Sequence, residues 1–361
     1  MNHKFTIGFV GDIFLGEKEF VLSPSVQKTL HQCDFVVGNL ESPIVCDSMP
    51  TFRSRQKSAS NKIFLRSKLG VEKRLKHWGI HCVSIANNHI FDYGNTGFRS
   101  TVDFLKAGRI LYTGAGLNLE EAAKPVLLNT PVGSIALIAA THSAATSRLA
   151  QKNRSGCNTL ARTSLARQVV QLQNCADHIF ILPHWGECGL VYPPDYVFDL
   201  AKNISSRKIA AIVGSHSHVV QGFTHDRTQP LIAYSLGNFC FDQFICSGHV
   251  VQPTGQELMG CILILTLEKS GIARVRWEYT RQMDSRIEHD QHSSRSTEHQ
   301  LRSKPFRHCP PSAVYSQRVQ HQLFLIRLKK LFSFHFLKAK VRQIFQYSWP
   351  PIATRLKYSW I

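Results

Sequence analysis

Six segments of the sequence share one pattern, in which a short apolar run is followed at once by Asp, Asn, Glu or His. An apolar run of about four to eight residues predicts a buried strand. Side chains at the carboxyl ends of such strands lie where open α/β sheets bind their ligands. Six such endings in one chain predict a metal site assembled from several strands. The segments are residues 9–12, 36–41, 83–94, 181–187, 212–218 and 234–239.

The donor types in these segments indicate which metals the site would take. Asp, Glu, Asn and His together suit divalent manganese, iron or zinc better than calcium, which prefers oxygen ligands alone. His216 and His218 are the sharpest pair, because side chains two positions apart point to the same face of an extended chain. Taken singly, Asp12 could cap a helix and His184 could be an ordinary core histidine. Counted together, the donors predict one or two divalent ions.

Strands and helices alternate along most of the chain, which predicts an α/β core. We expect strands at 5–10, 134–140, 178–182, 209–213 and 231–234, with a further strand entering segment 83–94. Helices are expected at 71–79, 101–108 and 195–206, with another beginning near Ser23-Pro24. Residues 261–268 and 273–279 flank Ser270-Gly271 and predict an antiparallel hairpin.

The net charge is strongly positive but unevenly spread. The 43 Lys and Arg outnumber the 24 Asp and Glu and give +19, while residues 301–361 contain 12 Lys and Arg and no acidic residue. We predict an α/β domain at 1–281, a polar disordered linker at 282–311 and a basic amphipathic segment at 312–361. That last segment could lie on an anionic membrane surface, contact a synthase partner or pack on the protein's own body. No recognised binding module accompanies the charge, so nucleic acid is not expected as a partner.

The spacing of the cysteines and the hydropathy of the chain indicate the cellular compartment of the protein. The ten cysteines form no CxxC pair, which argues against a structural zinc knuckle and favours a reducing environment. The N-terminus leads into the first strand without an apolar signal region, and no run reaches about 18 consecutive apolar residues. We therefore expect a cytoplasmic protein without a signal peptide or transmembrane segment, either free or peripheral at the membrane.

The six motifs, taken in order, resemble those of the CapA family. The members of that family are the poly-gamma-glutamate capsule biosynthesis proteins, a branch of the calcineurin-like metallophosphoesterases. The resemblance covers residues 5–245 and is specific for the family, though less specific for a reaction. It rests on Gly11-Asp12, Asn39-Leu40-Glu41, Ala86-Asn87-Asn88-His89 with Asp92 and Gly94, His184-Trp185-Gly186, Gly214-Ser215-His216-Ser217-His218-Val219 and Tyr234-Ser235-Leu236-Gly237-Asn238-Phe239.

The resemblance implies a four-layer α/β/β/α metallophosphoesterase-like sandwich, extended here by the basic C-terminal helical tail, with the metal site at the strand ends. It implies catalytic roles for Asp12 and His89, and His89 would protonate a leaving oxygen or steady the transition state. Asn39, Asp92 and Asn238 would support the site. The implied metal ligands are Asp12, Glu41, Asn88, His184, His216 and His218.

The chain departs from the family pattern at three positions. Phe14 stands where the wider superfamily has a histidine ligand, which removes one donor and weakens a second ion. Asn39 stands where a bridging aspartate is expected, so Glu41 would have to bridge. The acid of the family's His-Trp-Gly-x-Glu motif is one place early, at Glu187 before Cys188. A shift of one residue turns an extended side chain to the other face, so Glu187 is left out of the predicted site.

Two functions from different classes follow from these features. The first is a metal-dependent hydrolase of the phosphoesterase type. It would act on an anionic small molecule or acidic polymer in capsule, poly-gamma-glutamate or cell-envelope biosynthesis. The second is a non-catalytic accessory subunit that binds acidic polymer for a membrane-bound synthase. The motif set and the basic body favour the first function, whereas Phe14 and the cationic tail favour the second. The basic stretch 48–67 could steer an anionic substrate or simply be a solvated loop.

Overall fold

The computed structural model describes residues 3–46, 48–49, 63–142, 148–204, 209–226, 229–246, 249–292 and 294–303, together with Val319 and Gln322. The chain divides into two compact units, Met1–Ser312 and Ala313–Ile361. Of the second unit only Val319 and Gln322 are described, so the predicted basic helical tail lies outside the described residues. Most of the basic stretch 48–67 lies outside them as well.

The first unit alternates strands and helices in chain order. Its helices are α1 Pro24–His31, α2 Val71–His77, α3 Gly94–Ala107, α4 Leu119–Ala123, α5 Arg162–Leu172, α6 Asp195–Ile204 and α7 Ser294–Ser303. Its strands are β1 Phe5–Phe14, β2 Val21–Leu22, β3 Phe35–Leu40, β4 Cys82–Ser84, β5 Leu111–Thr113, β6 Ala115–Gly116, β7 Val126–Thr130, β8 Gly133–Thr141, β9 Gly156–Cys157, β10 His178–His184, β11 Ile209–Val213, β12 Phe223–Thr224, β13 Leu231–Ala233, β14 Asn238–Phe241, β15 Phe244–Cys246, β16 His249–Val251, β17 Met259–Glu268, β18 Gly271–Met283 and β19 Arg286–His289.

Most of the strands form two large mixed sheets. The first sheet has the order β2-β19-β18-β17-β1-β3-β4-β5, and β14 pairs in parallel with the end of β1. The second sheet has the order β12-β13-β11-β10-β8-β7, in which β8, β10, β11 and β13 run parallel. β17 and β18 pair antiparallel, so the predicted hairpin is confirmed. The carboxyl ends of β1, β3, β10 and β11 carry the motifs singled out in the sequence.

The two sheets pack face to face through one apolar cluster. Ile7 and Phe9 of β1 belong to the same buried cluster as Phe180 and Leu182 of β10. The rings of Phe9 and Phe180 lie 5.4 Å apart between centroids. Because successive side chains of a strand point to opposite faces, these residues fix the inner face of each sheet. The motifs at the strand ends of both sheets are thereby brought to one edge of the sandwich.

Helices cover the outer faces of the sheets. Val36 of β3 and Val83 of β4 share a buried cluster with Leu30 of α1, Leu75 of α2 and Leu105 of α3. On the second sheet, α5 and α6 bury apolar residues of their own, and the side chains that alternate with the inner-face residues of β10 are also buried. The predicted four-layer α/β/β/α sandwich is confirmed. α1 begins as predicted, with Pro24 at its start and the Ser23 hydroxyl accepting from the Val26 N–H at 3.4 Å.

The predicted disordered linker at 282–311 is wrong over its described part. β19 pairs with β18, and α7 follows it. α7 buries His299, whose ring lies 4.8 Å from Trp277 and whose Nδ1 hydrogen-bonds the Tyr279 hydroxyl at 2.9 Å. The composition was misleading because this segment buries polar side chains that have hydrogen-bond partners, and a polar composition alone does not reveal such partners.

Two smaller expectations also differ from the structure. β1 does not end at residue 10 but continues to Phe14, so Asp12 lies within a strand. α3 begins at Gly94, seven positions before the predicted start. Among the described residues, no helix combines the length and hydropathy needed to cross a bilayer.

Candidate metal centre

Asp12 lies at the centre of the first sheet, between two asparagines on neighbouring strands. Its Cα is in register with Asn39 of β3 on one side and with Asn238 of β14 on the other. Gly11 is required next to it, because a Cβ there would lie 1.9 Å from the carbonyl oxygen of Gly237. That close approach lets the Asp12 N–H donate to the Gly237 oxygen at 2.9 Å. The bulge at this point of β1 therefore holds the Asp12 side chain at the sandwich edge.

Glu41 follows β3 directly and is one of the fully buried acids of the site. Its N–H donates to the Ile13 oxygen at 2.9 Å, and its side chain is 0% exposed. Neither carboxylate oxygen accepts a hydrogen bond from the described residues. Oε1 lies 3.6 Å from Nε2 of His184 and 3.6 Å from Nε2 of His218. A buried carboxylate without hydrogen bonds is costly, so this geometry calls for a cation.

His184 ends β10 and reaches across from the second sheet. Its Nδ1 contacts the Ser215 hydroxyl at 3.0 Å, and its Nε2 lies 2.7 Å from Oδ1 of Asn88. Asn88 comes from the turn that follows β4 of the first sheet. The two sheets therefore supply one donor each at this point, as the strand-end pattern predicted.

His216 and His218 lie in the loop after β11, and they do converge, but not for the predicted reason. Their φ angles are +95° and +59°, so the chain is bent there and not extended. Such left-handed residues cost on the order of 1–3 kcal/mol and cluster at functional sites. The loop is held because the His216 N–H donates to Oδ2 of Asp12 at 3.2 Å. His218 Nδ1 lies 3.0 Å from Oδ1 of Asn238.

The donor atoms fall into three overlapping groups, in each of which they lie within 4.8 Å of one another. The His184 group is Glu41, His184 and His216, with Asn88 beside His184. The Asp12 group is Asp12, Glu41 and His218. The Cys188 group is Cys188, His216 and His218.

Glu41 is the one residue common to the His184 group and the Asp12 group. Its Oε1 lies 3.6 Å from Nε2 of His184 in the first group and 3.6 Å from Nε2 of His218 in the second, and neither of its oxygens accepts a hydrogen bond from the described residues. Nδ1 of the buried His216 likewise has no hydrogen-bond partner among the described residues. These donor-rich, unsatisfied atoms fit one or two divalent cations held by nitrogen and oxygen.

Burial and neighbouring charges shift the pKa values of the site. Burial raises the pKa of Asp12, and it raises that of Glu41 well above its usual range, with His218 opposing both shifts. Burial lowers the pKa of His184 well below its usual value, and His216 acts in the same direction. Burial would also lower the pKa of His218, but Glu41 and the other acidic groups around it raise it well above the usual value. The carboxylates therefore need a nearby positive charge to be stable in ionised form.

His89 lies beside the donors and has its own carboxylate partner. Its Nδ1 is 2.7 Å from Oδ2 of Asp92, which is 0% exposed. Oδ2 of Asp92 also accepts the Leu65 N–H at 2.8 Å. The turn is set by Asn87, whose Oδ1 accepts the His89 N–H at 3.1 Å. Asn39 completes the support by donating its side-chain N–H to Oδ1 of Asp12 at 2.8 Å.

The departures from the family pattern have clear positions in the structure. Phe14 is buried against Phe241, at 5.1 Å between ring centroids, and Phe241 and His218 form a T-shaped pair at 4.8 Å. Glu187 is exposed, in keeping with its omission from the predicted site. Cys188 is half-buried with its Sγ 3.9 Å from Nε2 of His216, and the sequence analysis did not assign it to the site. The signal for it was available, since Cys188 occupies the position at which the family motif has its acid.

Comparison with known proteins identifies relatives over the same part of the chain. A family model described as bacterial capsule synthesis protein matches residues 6–243. The capsule biosynthesis protein CapA of Bacillus anthracis is 31% identical over 255 residues, which are 67% of this chain and 61% of that protein. The PGA biosynthesis protein CapA of Bacillus subtilis is 29% identical over 246 residues, which are 65% of this chain and 63% of that protein. The chain thus spans less than two thirds of the length of either relative.

Solved structures with a similar fold include phosphoesterases. A calcineurin-like phosphoesterase from Bacillus subtilis is 13% identical with a TM-score of 0.44, covering 77% of this chain and 91% of that one. A phosphatase from Mycoplasma pneumoniae is 11% identical with a TM-score of 0.46, covering 77% of this chain and 94% of that one. These similarities concern the fold alone.

Proposed function

The chain belongs to the bacterial capsule synthesis protein family, and from that premise we propose that it is a metal-dependent hydrolase acting on an anionic substrate. The observation that carries the proposal is Glu41, a buried carboxylate that accepts no hydrogen bond from the described residues and is shared by two groups of metal donors. A carboxylate in that position is suited to bridging two divalent cations, of manganese, iron or zinc. The substrate would be a phosphoester, a gamma-glutamyl polymer or a cell-envelope precursor.

The donors divide the work of holding the cations. Asn88, His184 and His216 would hold one ion with Glu41, and Asp12 and His218 would hold the other. A pair of divalent ions supplies a Lewis acid and activated water, and it stabilises the charge of an in-line displacement. Asn39 and Asn238 would fix the orientation of Asp12 and His218 through the contacts described above, which is the usual task of residues behind metal ligands.

His89 is the proposed proton donor to the leaving oxygen. Asp92 accepts from Nδ1 of the ring, which leaves Nε2 to exchange a proton with substrate. Because Asp92 is itself buried and held by the Leu65 N–H, the ring orientation is set before substrate binds. General acid catalysis of this kind contributes about 10²–10⁴-fold to a rate.

Turnover of generic esters tests the proposal. Full-length protein would be assayed with bis(4-nitrophenyl) phosphate, 4-nitrophenyl phosphate and poly-gamma-glutamate, each with manganese, iron or zinc. We expect metal-dependent hydrolysis of at least one of them that chelation abolishes. Asp12→Asn should lose this activity, and His89→Gln should lose about 10²–10⁴-fold while keeping its metal. Absence of turnover with every metal and substrate class would overturn the proposal.

Phe14 favours a second candidate function, a non-catalytic accessory subunit that binds acidic polymer for a membrane-bound synthase. It removes a donor from the Asp12 group and leaves an apolar side chain there. The strongly basic segment 312–361 is the proposed contact with the membrane surface or the synthase. Poly-gamma-glutamate binding that weakens steeply with salt, without turnover, would support this function over hydrolysis.

A further inference from the structure

The thiol of Cys188 lies at the metal centre, although cysteine is not among the donors that the motifs predict. Its Sγ is 3.9 Å from Nε2 of His216. Together with a nitrogen of His218 it forms a group whose atoms lie within 4.8 Å of one another. His216 and His218 are also members of the His184 group and the Asp12 group, respectively. The sulfur is therefore adjacent to both groups of donors.

The backbone holds this position firmly. Gly186 has a φ of +88°, which turns the chain after β10 and sends Glu187 outward. Gly189 then donates its N–H to the Ser217 oxygen at 2.7 Å, between the two histidines of the opposite loop. At the next residue, the Leu190 oxygen accepts from the side chain of Gln221 at 2.7 Å. These bonds on the C-terminal side of Cys188 tie its loop to the loop that carries His216 and His218.

The distances fit coordination. In tetrahedral zinc the Zn–S bond is about 2.3 Å and the Zn–N bond about 2.0–2.1 Å, so a sulfur and a nitrogen on one ion lie about 3.6 Å apart. The observed 3.9 Å between Sγ and Nε2 needs a movement of only a few tenths of an ångström. The thiol is supported as a metal donor by neighbouring polar atoms that lack partners of their own. Both oxygens of Glu41 and Nδ1 of His216 are buried and lack hydrogen-bond partners among the described residues.

The Asp12 group has fewer side-chain donors than the His184 group. The Asp12 group has three side-chain donors, because Phe14 supplies none and packs against Phe241. Cys188 shares His218 with that group and His216 with the His184 group, so the sulfur is an additional donor beside both. A fourth side-chain donor would complete the tetrahedral shell that zinc prefers.

We propose that Cys188 is a metal ligand of this chain, which binds beside His216 and His218 and makes the metal centre selective for a thiolate-binding ion such as zinc. The inference rests on the proposed function only in that the site holds a metal. As the sulfur–metal bond forms, the thiol proton passes to solvent. Thiolate donors favour zinc, cobalt and iron, whereas an all-oxygen and imidazole set accepts manganese as well. A carboxylate at this position, as in the family motif, would make the group less selective.

Cobalt substitution tests the proposal, since a thiolate bound to Co²⁺ gives an intense near-ultraviolet charge-transfer band that nitrogen and oxygen donors do not give. Wild type, Cys188→Ser, Cys188→Glu and the control Cys175→Ser would be titrated with Co²⁺ as full-length proteins, with bound cobalt measured in parallel. Cys175 is exposed and has no place in the three donor groups. We expect the band in wild type and in Cys175→Ser, and its loss in both Cys188 variants. Cobalt should still bind at the His184 group in all four.

Metal competition adds a second readout. We expect the ratio of zinc affinity to manganese affinity to fall at least tenfold in Cys188→Glu, with unchanged circular dichroism. Bound zinc should also protect Cys188, but not Cys175, from alkylation in the wild type. Cobalt binding without the band, or a band that survives in Cys188→Ser, would overturn the inference and leave the proposed function standing. Failure to bind any cobalt would overturn both.

Discussion

The two donor groups that meet at Glu41 are built differently. The His184 group has four candidate donors, which come from the ends of strands in both sheets and from the turn after β4. The Asp12 group has three, with Phe14 at the position of the missing one. The first group therefore has four donors among the family ligands, whereas the second has three. The proposed thiolate of Cys188 would add a donor beside His218, so the donor lost at Phe14 need not mean loss of the site.

Each group also contains one histidine at a strained backbone position. His216 of the His184 group has a φ of +95°, and His218 of the Asp12 group has a φ of +59° and is held by contacts with Asn238 and Asp12. Backbone strain therefore does not separate the groups. We expect the Asp12 group to be the weaker of the two because it has one candidate donor fewer.

Glu41→Gln should give the largest effect, because it removes the residue that both groups share. We expect the variant to lose the increase in melting temperature that metal gives the wild type. That increase corresponds to about 2.7 kcal/mol at a free metal concentration of 100 times Kd. Calorimetry with and without chelator measures it, and full metal-dependent stabilisation of Glu41→Gln would contradict a shared role.

The same variant has a pH dependence of defined sign when metal is absent. Burial raises the pKa of Glu41 above its unfolded value, so the folded state binds more protons between the two values. The contribution of this carboxyl to stability is therefore present below the unfolded pKa and is lost as the pH rises through the folded pKa. Metal-free Glu41→Gln should gain stability relative to metal-free wild type as the pH rises. A loss of stability of metal-free Glu41→Gln relative to metal-free wild type as the pH rises would contradict this.

His184→Ala and His218→Ala should separate the two groups. Each removes a donor from one group only, so each variant should retain one of two metal-binding steps in a calorimetric titration. We expect the step retained in His184→Ala to be the weaker one, since it belongs to the Asp12 group. Loss of both steps in either variant would mean that the groups bind metal only as a unit.

Asp92→Asn should lower turnover without changing metal binding by either donor group. Asp92 orients His89 and lies in neither donor group, so metal content should be unchanged. We expect kcat to fall by about 10²–10⁴-fold, the contribution of a general acid. A fall in metal content instead would assign Asp92 to the metal site.

Asn39→Ala should have the smallest effect, and it should lower the metal affinity of the Asp12 group only. The side chain donates to Asp12 at 2.8 Å, and changes behind a ligand cost about 10–100-fold in metal affinity. The weaker step of the titration should shift and the stronger one should not. Equal shifts in both steps would mean that Asn39 supports Glu41 as much as Asp12.

Much of this arrangement is visible in the sequence, and the reasons for the remainder are specific. Asp12 and Glu41 could be placed because apolar runs predict strands and polar residues follow them closely. The bend at His216 could not be predicted, since its positive φ is stabilised by a hydrogen bond to a residue more than 200 positions away. Cys188 was missed because only Asp, Asn, Glu and His were counted as donors, although Cys188 occupies the position of the acid in the family motif.

Outside the site, composition misled at one place. The polar sequence of β19 and α7 was interpreted as a disordered linker, yet α7 packs His299 against Trp277 and Tyr279. The partners of His299 are Trp277 and Tyr279 of β18, about 20 positions earlier in the chain, and Phe223 of β12. Whether a polar segment is ordered depends on its contacts with other elements, and composition does not reveal those contacts.

The most direct test of the central claim, that Glu41 joins two metal-binding groups, is the metal stoichiometry of purified full-length protein by elemental mass spectrometry, wild type beside Glu41→Gln. We expect two ions per chain in the wild type and fewer than one in the variant. One ion or none in the wild type, or two in Glu41→Gln, would contradict it.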